Sequence, residues 1–166
     1  MNREQLAESK EKSNEEFGMK EFIEQRILRA VRRLLAERVN EILGEAEFSL
    51  PLIEFGGYEA GSVVIPVISL SVCERTEKER IVLLDVYSMT ISFALPESPD
   101  SELFCYAYAA AVGKALAEDP ALGGMVSRAV VLGKKYVPPK KAYCGEGWGL
   151  VLSLRVTVQV AMSNEE

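Results

Sequence analysis

The strongest constraint on the fold is a two-residue alternation between Trp148 and Met162. Apolar residues occupy every second position there, and mostly small or polar residues lie between them. Side chains of a β-strand point alternately to opposite faces, so this pattern gives a strand one buried face and one wet face. The arrangement is typical of antiparallel sheets, because strands of parallel sheets are buried on both faces. The chain is therefore predicted to contain an antiparallel sheet.

Five other segments have a clear secondary-structure pattern. The two helical segments are residues 19–43 and 98–118, and the three strand segments are residues 63–73, 81–95 and 128–132. The element order α-β-β-α-β-β predicts an α+β fold of two layers, a four-stranded, mainly antiparallel sheet packed by helices. We expect a single domain over residues 18–166, preceded by a charged, flexible N-terminal segment at residues 1–17.

The first two strand segments are predicted to form a hairpin with irregular features. Pro66 has no amide hydrogen to donate, which indicates an edge strand or a bulge. Residues 74–80, which are charged at every position except Thr76, are predicted to form the solvated turn. The apolar phase of the second strand changes by one residue at Asp85, which indicates a β-bulge over residues 85–87. The alternative is that both faces of residues 81–86 are buried, one by helices and one by a neighbouring chain.

The connection at residues 44–62 is unusually apolar for a segment without regular structure. Pro51 and a pair of glycines argue against helix or strand, yet Phe55, Tyr58 and several aliphatic residues lie there. A long, apolar loop is uncommon in a compact domain. We expect it to pack along its own core or against a neighbouring subunit, with Phe55 and Tyr58 as interface residues.

Aromatic and basic residues are concentrated in a second connection at residues 134–147. Tyr136, Lys140, Lys141 and Tyr143 are the members predicted to contact a partner. Such a mixture can stack on single-stranded nucleic acid, but it is also typical of protein interfaces. Because the whole chain carries a net charge of −6, we favour the protein interface and expect the connection to be mobile.

The first helix segment carries five arginines, at positions 26, 29, 32, 33 and 38. A nucleic-acid contact is one interpretation of such a cluster. Glutamates at positions 24, 37 and 41 lie among the arginines and supply opposite charges at helical spacing. The cluster is therefore interpreted as a solvated helix face.

Catalytic chemistry has little support in the sequence. The chain contains no histidine, so neither a Ser–His–Asp nor a Cys–His arrangement is possible, and the spacing of Cys73, Cys105 and Cys144 is not that of a metal site. We expect structural cysteines, with Cys73 and Cys105 buried, and predict no catalytic, cofactor-binding or metal-binding residues. The alternative is a small α+β enzyme or ligand-binding domain that uses Asp85 and the 136–147 loop.

Residues 114–133 contain the segment KALAEDPALGGMVSRAVVLG, in which a helix is followed by a turn and a strand. The preceding helix is predicted to start with Ser98 as N-cap, and Asp119-Pro120 to start a short helical turn. The paired glycines at positions 123 and 124 supply the positive φ angles that reverse the chain. This order of elements resembles the phage tail terminator family, also described as tail completion or head–tail joining proteins, over residues 60–160.

The resemblance implies a structural protein without catalytic activity, in a phage or prophage. Its partners would be other copies of itself in a ring, most simply a hexamer, together with the tail tube protein and the head connector protein. DNA would pass through the ring without specific binding, and no membrane contact is implied. The implied location is the host cytoplasm during assembly and then the virion tail. A different phage neck or baseplate adaptor of similar architecture is the other alternative.

Overall fold

The architecture is that of a computed structural model, which describes residues 21–47, 49–55, 63–79, 82–140 and 146–160. The helical elements are α1 (Ile23–Leu34), a π-helical segment (Leu35–Val39), α2 (Asn40–Gly44) and α3 (Ser101–Glu118). The strands are β1 (Leu52–Ile53), β2 (Val63–Val64), β3 (Val67–Lys78), β4 (Val82–Pro96), β5 (Arg128–Val137) and β6 (Glu146–Val160). The charged segment 1–17 lies outside the described residues.

The four long strands form one sheet in the order β3-β4-β6-β5, and all three neighbouring pairs are antiparallel. The short strands β1 and β2 form a separate parallel pair within the apolar connection. The predicted α+β class, with a four-stranded antiparallel sheet and the order α-β-β-α-β-β for the main elements, is confirmed. The predicted strand 63–73 is divided, because Pro66 lies in the break between β2 and β3. The edge position is confirmed for β3, which pairs only with β4 among the described strands.

The first helix is buried along a stripe in which the apolar residues recur every four positions. These residues are Ile27, Val31, Leu35, Val39 and Leu43. Four residues of an α-helix overshoot one turn by about 40°, so such a stripe would drift around a regular helix. The π-helical segment, whose hydrogen bonds span five residues, widens the turn and keeps the later residues on the core side. The helical pattern of residues 19–43 was predictable, but the irregularity that preserves this stripe was not.

One face of the sheet is covered by helices and the other is not covered by any described helix. The covered face is formed by alternate residues of the two central strands, namely Tyr87, Met89, Ile91, Phe93, Leu95, Leu150, Leu152, Leu154 and Val156. Tyr108 of α3 stacks on Phe93, with a ring centroid distance of 5.2 Å, and is fully buried. The intervening residues, such as Thr90 and Ser153, form the open face.

The β-bulge predicted over residues 85–87 is wrong. Pairing is regular on both sides of β4 there, since Asp85 lies opposite Arg75 and Val158, and Tyr87 lies opposite Cys73 and Val156. Asp85 lies on the same face of the strand as Tyr87, the face that the helices cover, and Arg75 donates two hydrogen bonds to its carboxylate. Instead, the register between β3 and β4 shifts between residues 70 and 72.

Three predicted element boundaries are also wrong. β3 continues to Lys78, so residues 74–78 form a paired strand instead of the solvated turn. β5 continues to Val137, because residues 133–137 pair with β6 and the connection shortens to residues 138–145. The helix α3 begins at Ser101, because Ser98 forms a preceding turn in which its hydroxyl accepts the Asp100 N–H.

The chain reverses direction after α3 at the two predicted glycines, but the segment before them differs from the prediction. Gly123 and Gly124 have φ angles of 69° and 90°, and the Asp119 carboxylate accepts the Gly123 N–H at 2.9 Å. The segment between them and α3 is a series of turns and not the short helix that was predicted. The buried state expected for Cys73 is wrong as well, since it lies exposed on β3, whereas Cys105 is buried as predicted.

Side chains of two helices hold the apolar connection against the core. The Asn40 amide donates to the carbonyls of Ile53 and Ala36 at 2.7 and 2.8 Å, and its oxygen accepts the Ile53 N–H at 2.8 Å. The hydroxyl of Tyr108 donates to the carbonyl of Pro51. Ile53 is 2% exposed, and Leu50 and Phe55 are partly buried against the same core. The described part of the connection therefore packs on its own chain.

Candidate assembly interface

The β5 strand forms a basic edge in an otherwise acidic chain. The strand carries Arg128, Lys134 and Lys135 and no acidic residue. Removing these three positive charges from the net charge of −6 leaves −9 for the rest of the chain. Among the described strands β5 pairs only with β6, so its outer edge presents backbone N–H and C=O groups. Long-range attraction therefore favours acidic partners at this edge.

The aromatic residue predicted for this region, Tyr136, lies within the strand and not in a mobile loop. Its ring contacts Tyr106 of α3 edge-to-face, with a centroid distance of 5.1 Å. The Tyr106 hydroxyl donates to Glu102 at 2.8 Å, and this hydrogen bond raises the pKa of Tyr106. Tyr106 and Leu103 are each 45% exposed. The edge thus carries a half-exposed aromatic pair beside its cationic side chains.

The six predicted interface residues have different outcomes. Tyr136 and Lys140 lie at one end of the basic edge, and Lys140 is exposed. Phe55 is partly buried against the core of its own chain. Tyr58, Lys141 and Tyr143, like Cys144, lie outside the described residues, so their roles stay predictions.

The open face carries a trough of about 800 Å³, lined by both polar and apolar residues, at the end of the sheet where the β3–β4 hairpin turns. Its floor includes Val82, Leu84, Val86 and Val130, which are only half-buried. Charged residues of both signs surround them, among them Glu74 and Arg155. The apolar residues on both sides of β4 explain the change of phase in its sequence: one set faces the helices, and the other faces this trough.

Asp85 lies on the opposite side of the same strand. Its carboxylate is 12% exposed and accepts two hydrogen bonds from Arg75, at 2.7 and 3.0 Å from Nε and Nη2. These hydrogen bonds raise the pKa of Arg75. The 136–147 loop joins the other end of the sheet, because Val137 is paired through Gly149 with Ala94. Nine residues of extended strand separate Ala94 from Asp85, about 30 Å.

A second groove, of about 640 Å³, lies between α1 and the turns at residues 119–125. Its lining includes four arginines, at positions 26, 29, 33 and 38. Ion pairs already engage most of them: Arg29 pairs with Glu21, Arg33 with Glu37, and Arg38 with Glu118 and Glu41. The Arg38 hydrogen bond lowers the pKa of Glu118. These pairs support the interpretation of the arginine cluster as a solvated, charge-balanced face.

Other chemical features of the described residues are few. No group of three or more His, Cys, Asp or Glu side chains within the described ranges is placed to hold a metal ion. Burial raises the pKa of the Cys105 thiol to about 11, which keeps it protonated at neutral pH. In the same ranges, no helix combines the length and hydropathy needed to cross a bilayer.

Comparison with known proteins yields no family for this chain. No family model matches it, and a search of curated proteins finds no significant match.

Proposed function

We propose that the chain is a structural, non-catalytic protein of a phage or prophage tail. In this proposal, copies of the chain form a ring, most simply a hexamer, that caps the end of the tail tube and joins it to the head connector. The ring covers tube surfaces that would otherwise continue to add subunits. The segment around Asp119 and the paired glycines, which resembles that of tail terminators, supports this assignment together with the fold class.

The observation that carries the proposal is the one-sided covering of the sheet. Helices bury one face, while the open face keeps half-buried apolar residues such as Leu84 and Val86 in a trough that polar and charged residues also line. Apolar area with a charged rim is the composition of protein interfaces. Two sheet edges that are unpaired among the described strands adjoin this face. A broad surface of this kind suits assembly with other protein subunits better than recognition of a small molecule.

The enzyme alternative loses support from the same geometry. It required Asp85 and the 136–147 loop to act together, but these lie at opposite ends of the sheet. Arg75 also occupies both oxygens of the Asp85 carboxylate. A carboxylate held in this way is a cross-strand ion pair, which stabilises the hairpin.

The decisive experiment measures tail assembly in a host whose copy of the gene is deleted and then supplied in trans. We expect the deletion to give overlong, unterminated or headless tails by electron microscopy, and the wild-type gene to restore tails of normal length. A tail with normal length but no head would favour a head-side joining role, and a defect confined to the baseplate would favour the adaptor alternative. Normal virions from the deletion strain would refute all three.

Variants of the open face test whether this surface mediates assembly. Leu84→Arg/Val86→Arg places two charges in the trough, so we expect unterminated tails from a protein that still folds, as checked by circular dichroism. Ser153→Arg, an exposed position on the same face, is the control and should leave assembly intact. A second set, Lys140→Ser/Lys141→Ser/Tyr143→Ser, tests the other connection. Normal assembly with both sets would exclude these surfaces as the point of contact.

A further inference from the structure

The two edge strands of the sheet, β3 and β5, run in opposite directions. The three antiparallel pairings make β5 run opposite to β3 across the sheet. A neighbouring copy related by translation, or by rotation about a ring axis parallel to the strands, keeps these directions. Its β3 edge would therefore meet the β5 edge of the first copy in an antiparallel orientation. The edges also match in length, with 10 residues in β5 and 12 in β3.

The charges of the two edges distinguish this contact from its alternatives. β5 carries Arg128, Lys134 and Lys135 without an acid, and all three are exposed. β3 and its turn expose Glu74, Glu77 and Glu79. Arg75 of β3 is engaged by Asp85, which leaves Lys78 as the other base of this edge. A symmetric β5–β5 contact would bring two basic edges together, whereas a β5–β3 contact brings the basic edge to an edge whose exposed charges are mainly carboxylates.

Exposed apolar side chains on both edges add to the match. Leu132 is 60% exposed where the register of β5 shifts, and Val67 and Val72 of β3 are 66% and 51% exposed. A strand added at either edge would cover such side chains while satisfying the outward backbone groups.

We propose that the basic edge of one copy, β5, pairs with the acidic edge of the next copy, β3, and continues the antiparallel sheet between subunits. The contact is heterologous, so successive copies close into a ring when the rotation between them permits. This proposal rests on the ring of the proposed function and identifies the surfaces that would build it.

A charge exchange tests the pairing. In Lys134→Glu/Lys135→Glu both edges become acidic, and in Glu74→Lys/Glu77→Lys both become basic. We expect each variant alone to lose self-association at least ~100-fold at low salt, by sedimentation velocity. An equimolar mixture of the two should assemble, because each β5 then faces a β3 of opposite charge. The chain carrying all four substitutions should assemble by itself.

Matched controls change the same net charge away from the edges. Arg32→Glu/Lys114→Glu and Glu45→Lys/Glu47→Lys alter exposed residues of the helices and their ends, and both should associate as the wild type does. Circular dichroism checks that every variant is folded. The wild type is measured alone and with tail tubes, and failure to self-associate in both conditions overturns the pairing.

Two outcomes separate this inference from the function on which it rests. Normal assembly of both reversed variants, or no recovery in their mixture, overturns the edge pairing. If the same proteins still cap tail tubes, the proposed tail function stands. Conversely, recovery of self-association in the mixture supports the pairing. If the wild-type protein at the same time has no effect on tail length, the tail function is overturned.

Discussion

The two sides of β4 differ in how completely the described part of the chain buries them. On the covered side, Ile91 and Met89 are at most 1% exposed and pack under the helices. On the open side, Leu84 and Val86 remain half-buried with only the sheet beneath them. The first side is buried within the described part of the chain, whereas the second keeps apolar residues that this part of the chain does not bury. Substitutions on the covered side should therefore reduce stability, and under the proposed function those on the open side should reduce assembly.

The largest expected effect comes from Gly147, at the junction of β6 with α3. A Cβ atom there would lie 2.3 Å from both the Pro96 carbonyl oxygen and the Ser101 hydroxyl, so Gly147→Ala must displace backbone. We expect a loss of about 3 kcal/mol or more in the free energy of unfolding, measured in urea. Gly133→Ala is the control, because nothing lies within 4 Å of its added Cβ. Equal stability of the two variants would contradict the close approach of β6 to α3.

Ile91→Ala tests the covered side directly. Ile91 is fully buried, so the lost contacts and the cavity should reduce the free energy of unfolding by about 3 kcal/mol. Thr90→Ala, its neighbour on the open face, should change the same quantity by no more than about 0.5 kcal/mol. Similar losses at both positions would show that the open face is covered within a single molecule.

Asn40→Ala removes the link between the helix and the apolar connection. The Ile53 N–H and C=O would lose their side-chain partner in a largely buried site, so we expect a loss of about 2 kcal/mol in urea unfolding. Asn40→Asp retains an acceptor for the Ile53 N–H and should lose the donated bonds alone. An alanine variant as stable as the wild type would mean that the connection is held by its apolar contacts.

The smallest effect concerns the exposed ion pair between the π-helical segment and α3. Hydrogen bonding to Arg38 holds the pKa of Glu118 below its ordinary value of 4.5. A lowered pKa in the folded state contributes stability that is fully present above 4.5 and is lost as pH falls through the folded-state pKa. Glu118→Gln should therefore lower Tm slightly at pH 7 and not at pH 2. Glu45→Gln provides the control, and an equal shift at both pH values would exclude this linkage.

Local patterns predicted the parts of the fold that depend on burial alone. The alternation from Trp148 onward identified β6, and the stripe through Ile27 and Val31 identified the first helix. The resemblance and the element order led to the same two-layer class that the structure has. The paired glycines marked the reversal correctly, because a positive φ angle is a requirement of the local backbone.

Features that depend on distant partners were not predictable in the same way. Asp85 broke the apolar phase of its strand, and only the register with Arg75 shows why a charge is tolerated there. Lys134 and Lys135 suggested a loop, yet pairing with β6 makes them strand residues. Asn40 gave no signal, since its partner Ile53 is 13 residues away. Of the candidate interface, the sequence indicated the basic and aromatic residues but not the edge that presents them.

The strand order also sets a condition on how the chain can acquire its structure. β6 lies between β4 and β5 in space but follows both in the sequence. During synthesis, β5 therefore has no neighbour in the sheet until residues 146–160 have left the ribosome, while the β3–β4 hairpin needs only local pairing. Sheets that require such distant contacts fold slowly. Under the proposed edge pairing, the β5 edge becomes available only after β6 has joined the sheet, so the pairing would begin on chains whose sheet is already formed.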